Sequence, residues 1–276
     1  MHVYADLKMK WFVLIFICIS FLARMAFADA NESIYTGKTV SINLSEETDD
    51  PAGFHMEVIS VSSGQPRQFK VFIYHTHTYE AYDMGDGNRY QPTETWRTAD
   101  EKYNVIRIGD ELADLLKEAG VNVTHDKTAY EMPRLSTAYS RSLEGLEKAV
   151  ASGYDLYIDL HRDSYSQNNG PNCVQAGQQQ LGRYLFLIGQ GTGTGFDERP
   201  DWEVNEAAAR IISDAMNAQV PGLSRGVSLK SGRYNQQAAT PVILLEAGNN
   251  KNTLTEMLAS VPYLANAICS YFDTFE

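Results

Sequence analysis

Histidine is scarce in this chain, 6 of 276 residues, and cysteine is scarcer still, with 3. Cys18 lies in an apolar run near the start, which leaves Cys173 and Cys269 for the rest of the chain. Two thiols are no disulfide framework and lack the paired spacing of a zinc knuckle; one disulfide or two unpaired thiols are the readings left. Basic residues are also in short supply: Lys+Arg 23 against Asp+Glu 35 gives a formal charge of −12. Such a surface repels a phosphate backbone, which argues against nucleic acid as a partner. Missing too is an uninterrupted apolar stretch of the roughly 20 residues that a spanning helix needs. No internal repeat or low-complexity tract is present.

What is there begins with a segment to set aside. Lys8 and Lys10 precede the apolar run Trp11 to Leu22, which Arg24 ends, and Ala26-Phe27-Ala28 follows. This is the layout of a secretory signal over residues 1–28, cut after Ala28, with an uncleaved anchor as the rival reading. Cleavage would take away Lys8, Lys10, Arg24 and Asp6 and move the formal charge from −12 to −14. Cys18 follows Ile17 rather than a small residue, which speaks against lipidation. Residues 29–68 are polar, with the acidic cluster Glu46-Glu47-Thr48-Asp49-Asp50 ahead of Pro51. They predict a linker with one or two short strands near Val58 to Val61. The 43% hydrophobic content supplies a core for one catalytic domain over residues 69–276.

In that domain apolar runs alternate with amphipathic stretches. Strands are predicted at Val71 to Tyr74, Val121 to Thr124, Leu156 to Leu160, Tyr184 to Ile188, Val227 to Leu229 and Val242 to Leu245. Helices are predicted from Val105 to Ala119, Ala138 to Ala151, Glu203 to Asn217 and Thr253 to Phe272, with Gly120 as the first stop. The alternation predicts a three-layer α/β fold, a mostly parallel or mixed sheet with helices on both faces. In such sheets sites form beyond the carboxyl ends of strands.

The rare histidines fall at those ends. Val71-Phe-Ile-Tyr-His75-Thr-His77-Thr-Tyr-Glu80 and Leu156-Tyr-Ile-Asp159-Leu-His161-Arg162-Asp163 both run from apolar residues into histidine and carboxylate, and Val242-Ile-Leu-Leu-Glu246 ends alike. A hydrolytic zinc site needs about three protein ligands and an open position. His77, Glu80 and His161 are the predicted ligands, with Glu246 as the general base and acid. Glu101 competes with Glu80 as third ligand, and His75 is a candidate for a supporting hydrogen bond. Arg162 either holds a substrate carboxylate or carbonyl, or pairs with Asp159 or Asp163. Glu246 follows four apolar residues, where a carboxylate without a role is costly; a structural ion pair is its alternative.

Two tempting motifs fail. Gly222-Leu-Ser224-Arg-Gly226 has the spacing of a nucleophile elbow, yet a strand is predicted after it and no histidine follows His161. The glycines of Gly189-Gln-Gly191-Thr-Gly193-Thr-Gly195 lack the last position of a dinucleotide fingerprint and predict a loop beside the cleft.

Taken in order, several stretches resemble the stage II sporulation protein P family of peptidoglycan hydrolases. They are Tyr74-His-Thr-His-Thr-Tyr-Glu-Ala-Tyr82, Asn104-Val-Ile-Arg-Ile-Gly-Asp-Glu-Leu112, His125-Asp-Lys-Thr128, Tyr139-Ser-Arg-Ser142 and Ile158-Asp-Leu-His-Arg-Asp163. Pro221-Gly-Leu223, Arg233-Tyr-Asn-Gln236 and Leu245-Glu-Ala-Gly248 with Asn252-Thr253 complete the series. The resemblance implies a zinc-dependent fold like that of N-acetylmuramoyl-L-alanine amidases, acting as amidase, endopeptidase or both on peptide stems. It puts the functional positions on His77, Glu80, His161 and Glu246. In the related amidases the carboxylate ligand precedes the first long helix, as Glu101 does in Glu101-Lys102-Tyr103-Asn104. Further expectations are an exported protein outside the cytoplasm, a membrane tether if the anchor is uncleaved, and stage II sporulation protein D as a partner. The competing readings are an inactive wall-binding or activator module and a zinc carboxypeptidase-like hydrolase.

Overall fold

The structure is a computed structural model that describes residues 68–85, 89–165, 173–193 and 195–275. The expected signal or anchor and almost all of the expected linker, including the short strand near Val58, lie outside the described residues. No helix among those described is long and apolar enough to cross a membrane.

The apolar runs form strands because each side chain has a layer to enter on both faces of the sheet. In order the elements are β1 (Lys70–Tyr74), α1 (Val105–Glu118), β2 (Asn122–His125), a short 3-10 turn, α2 (Ala138–Val150) and β3 (Leu156–Asp163). Then come β4 (Cys173–Ala176), β5 (Gln179–Gly182), β6 (Tyr184–Gly189), α3 (Trp202–Gln219), β7 (Ser224–Lys230), β8 (Val242–Asn249) and α4 (Leu254–Asp273). The main sheet runs β2-β1-β3-β8-β6-β7 and is parallel except where β6 meets β8. β4 and β5 pair separately as an antiparallel hairpin.

Alternation along β1 shows the layers. Val71 and Ile73 enter a large core with Ile108 and Leu112 of α1, Ile212 of α3 and Leu264 of α4. Phe72 and Tyr74 point to the other face, into a smaller cluster with Leu146 and Ala149 of α2. Burying one such aliphatic side chain contributes about 1.5–3 kcal/mol, so the face with three helices holds most of the fold. Helix ends are set by local chemistry: Asn104 caps α1 by accepting from the Ile106 N–H, and Gly120 takes φ 87° just past its end. Thr253 and Glu256 cap α4 reciprocally.

Several strands differ from the expected bounds: β7 begins at Ser224 rather than Val227, and β3 and β8 run on at their carboxyl ends. β3 and β8 do not stop at Leu160 and Leu245 but continue to Asp163 and Asn249, with His161 and Glu246 as register partners. Their side chains point to the thinly covered face, so the ladder continues although the pattern turns polar.

Candidate active site

The chain leaves β1 at Tyr74 and turns, and His75 and His77 meet different partners. His75 is buried and its Nδ1 donates to the Leu160 carbonyl at 2.7 Å, while its Nε2 meets His125 Nε2 at 2.8 Å. Burial and the neighbouring His125 push the His75 pKa down to about 3. A Cβ on Gly109 would stand 2.5 Å from His125 Nε2, so the glycine in α1 makes room for this pair.

Three of the predicted residues do come together. Glu80 Oε2 lies 3.5 Å from His161 Nδ1, and the rings of His77 and His161 stand 5.3 Å apart, nearly perpendicular. The backbone N–H of Arg162 donates to Glu80 Oε2 at 3.0 Å and fixes the carboxylate. Burial pushes the Glu80 pKa up, but His161, Arg162 and His77 outweigh it and hold the group down at about 2. Glu246 sits on the strand beside His161, and its Oε2 is buried without a hydrogen-bond partner. Burial, with Glu80 and Asp163 adding, pushes its pKa up to about 8. One carboxylate is held charged and the other is poised near neutral, a separation of roles that environment alone creates.

His161 has a second carboxylate behind it. Asp159 is buried, accepts from Thr76 N at 2.8 Å and Thr76 Oγ1 at 2.7 Å, and places Oδ1 2.9 Å from His161 Nε2, off hydrogen-bond alignment. Thr76 Oγ1 in turn meets Ser142 Oγ of α2 at 2.8 Å. Burial opposes a charged His161, yet Asp159 and Glu80 on either side hold its pKa well above the ordinary value. The spot therefore favours positive charge. On the opposite flank Glu131, buried and paired with Arg97, has Oε2 4.0 Å from His77 Nδ1, an atom that is buried without a partner.

The donor set fits zinc in chemistry. Two bonds of about 2.1 Å at a tetrahedral angle separate their ligand atoms by about 3.4 Å, close to the spacing of Glu80 and His161. Among the described residues no three histidine, cysteine or acidic side chains already stand as a formed metal cluster; the arrangement is a spaced pair with His77 adjacent. Glu101 lies exposed beside Lys127, at 3.8 Å. The Arg162 guanidinium is buried, donating to Trp96 O at 3.0 Å and Asp163 O at 3.3 Å, with Nε unpartnered. Cys173 and Cys269 form no disulfide; the Cys173 sulfur accepts from Asn252 at 3.2 Å. A cavity beside α2, lined by Phe72, Asp126, Tyr130, Arg141, Lys148 and Tyr154 among others, includes none of the cluster.

Sequence reasoning passed over Tyr139 and Glu131, and took Asp159 only as an ion-pair partner for Arg162. Asp159 had the one legible signal, a carboxylate two residues before His161 and so on the same strand face.

The fold and site together define an α/β protein whose histidines and carboxylates gather on the half-covered face of a mostly parallel sheet. The chain belongs to the stage II sporulation protein P family, whose model matches residues 25–269. It is 29% identical over 216 residues to stage II sporulation protein P of Bacillus subtilis (strain 168), covering 73% of this chain and 50% of that protein, so it spans half of that relative's length. Among solved structures it is similar to N-acetylmuramoyl-L-alanine amidase AmiC2 of Nostoc punctiforme, with 14% identity, 76% of this chain, 99% of that one and a TM-score of 0.48. It is also similar to the CwlD amidase from Clostridioides difficile, solved in complex with the GerS lipoprotein, with 12% identity, 75% and 99% coverage and a TM-score of 0.48.

Proposed function

We propose that this protein is a zinc-dependent peptidoglycan hydrolase of sporulation that cuts amide bonds of the peptide stem, as an amidase, an endopeptidase or both. The observation that carries the reading is Glu246: a buried carboxyl with Oε2 unpartnered, beside the spaced Glu80–His161 pair and the unpartnered His77 Nδ1. His77, Glu80 and His161 would hold the metal, which when bound supplies Lewis-acid polarisation and a more acidic water. Glu246 takes a proton from the attacking water and returns it to the leaving amine, a role its carboxyl is free to play because its Oε2 is held by no other hydrogen bond. Asp159 orients His161. Arg162 holds Glu80 through its backbone amide, and its guanidinium, which keeps N–H groups beyond those bound to Trp96 O and Asp163 O, is the candidate contact for a substrate carbonyl or carboxylate. Export to the cell-wall side, and stage II sporulation protein D as a partner, belong to the same reading through the family.

The test is direct. Purified protein should carry about one zinc per chain, as the three-ligand site requires, and should release peptides or new amino groups from sacculi. A chelator should abolish release, and His161→Ala should lose both metal and activity. Full activity in His161→Ala or in thorough chelator would sink the reading. Sedimentation with sacculi without any bond cleavage would favour a wall-binding module instead.

A further inference from the structure

Four polar side chains are buried together behind His161, each from a different part of the fold. Asp159 belongs to β3, Thr76 to the turn after β1, Ser142 to α2 and Asn235 to the loop between β7 and β8, and none is more than 8% exposed. Their spacing fixes where each proton lies. Asn235 Nδ2 stands 2.8 Å from the Tyr139 carbonyl, which only accepts, so the amide is turned toward α2 and also donates to Ser142 Oγ at 3.0 Å. At the other end a carboxylate only accepts, so Thr76 gives its hydroxyl proton to Asp159 Oδ2 at 2.7 Å. The Thr76 and Ser142 oxygens are 2.8 Å apart, a hydrogen-bond distance that needs a proton between them, and Thr76 has none to spare. Ser142 therefore donates to Thr76. The chain runs one way, from Asn235 through Ser142 and Thr76 to Asp159, and every donor points toward the carboxylate.

Hydrogen bonds aligned in series polarise and strengthen one another. Thr76 holds both oxygens of Asp159, Oδ1 through its backbone N–H at 2.8 Å and Oδ2 through its hydroxyl, so the plane of the carboxylate follows Thr76. Asp159 Oδ1 in turn lies 2.9 Å from His161 Nε2. The outer end of the chain is held as firmly. Gln236 accepts from Gly189 N at 2.9 Å and donates to Leu187 O at 2.9 Å, fixing the loop to β6. Asn235 itself takes φ 58°, a left-handed conformation that asparagine tolerates. Tyr234 before it takes φ 52°, which is strained for a bulky residue and persists only where the surroundings impose it. Stability alone does not call for such a chain, because apolar groups of the same shape can replace paired polar ones at nearly neutral cost. What the chain adds is a carboxylate held in one orientation beside His161.

We propose that Asn235 is a positioning residue for the metal site: through Ser142 and Thr76 it fixes Asp159, and with it the His161 ring, in the orientation that binds zinc. This deepens the proposed function and rests on it.

The experiment titrates the full chain, stripped of metal, with zinc against a chelator of known affinity, and follows thermal unfolding of the same metal-free samples. Asn235→Asp keeps the shape and tolerates the left-handed backbone but offers no N–H, so Ser142 turns its proton outward and the chain reverses. Zinc should bind about 10-fold more weakly, the low end for a group that supports a metal ligand from behind. Asn235→Gly suits the same backbone and removes the amide; it should weaken zinc by a similar factor, and it carries the comparison if the first variant does not fold. Ser142→Ala cuts the chain in the middle. In that background Asn235→Asp should change zinc affinity by less than about 2-fold, because the route to Asp159 is already lost. A merely structural role, in which Asn235 holds the loop through Tyr139 O alone, would give the same factor with or without Ser142, and that result would overturn the inference. So would unchanged affinity in both Asn235 variants. If the wild type binds no zinc, the hydrolase reading itself falls; if it binds zinc and ignores position 235, only the positioning role does.

Discussion

Gly109→Ala is expected to reverse its usual sign. In a helix interior alanine gains about 0.5–1 kcal/mol over glycine, and Gly109 lies within α1. Its Cβ would stand 2.5 Å and 2.7 Å from Nε2 and Cε1 of His125 and 3.0 Å from Nε2 of His75. Neither ring is a flexible tip: His75 is bound to Leu160 O at 2.7 Å and His125 to Asp110 at 3.1 Å. Moving His125 aside leaves a buried imidazole nitrogen without its partner, which costs about 1–3 kcal/mol. The net is a destabilisation of up to about 2.5 kcal/mol, or up to about 10 °C in Tm for a domain of this size. Urea and thermal unfolding measure it. In a His125→Ala background the two shortest contacts are gone and only His75 Nε2 remains close, at 3.0 Å, so the same substitution should cost clearly less and the double-mutant cycle shows coupling. Alanine that stabilises with His125 in place, or destabilises equally in both backgrounds, refutes the reasoning.

Glu246→Gln keeps the shape but removes the proton carrier, so kcat should fall by about 100-fold or more while zinc content measured by mass spectrometry stays that of the wild type. Asp159→Asn weakens the support behind His161 and should lower zinc affinity by about 10–100-fold in a chelator competition. Asp126 is a stability probe away from the cluster. Burial pushes its pKa up, but hydrogen bonds from Thr128 and Tyr130 outweigh it and hold it below the ordinary value. A depressed carboxylate contributes stability above its unfolded pKa, near 3.9, and loses it as pH falls through the folded value. Asp126→Asn should therefore flatten the acid limb of the stability curve, seen in urea titrations below pH 4.

The helices and the strands of the main sheet were legible because apolar runs and amphipathic stretches alternate over lengths that suit each element. The β4–β5 hairpin was not: Cys173–Ala176 and Gln179–Gly182 are mixed in polarity and stand outside the main sheet. That His77, Glu80, His161 and Glu246 would gather was legible because strand ends in an α/β sheet share one edge. That Glu80 stands beside His161 while Glu101 lies by Lys127 was not, since it depends on how the turn after Tyr74 carries Glu80 back onto Arg162. The separation of His75 from His77 needed the third dimension as well. Nothing in the spacing of His75, Gly109 and His125 signals that a missing side chain in one helix lets two rings meet.

One face of the sheet carries α1, α3 and α4, while on the other α2 packs against β1 and β3. Beyond β8 that second face is less covered: Leu185 and Leu187 of β6 are half-buried where their neighbours Tyr184, Phe186 and Ile188 are fully enclosed. Glu246 lies on this boundary, with the α2 wall on one side and an open shelf on the other. A deep pocket would admit only a chain terminus or a small molecule. A shelf is approached from the side, so a long strand lies across it without offering a free end. On the proposed function, such a boundary would suit a long strand lying across it better than a free chain end.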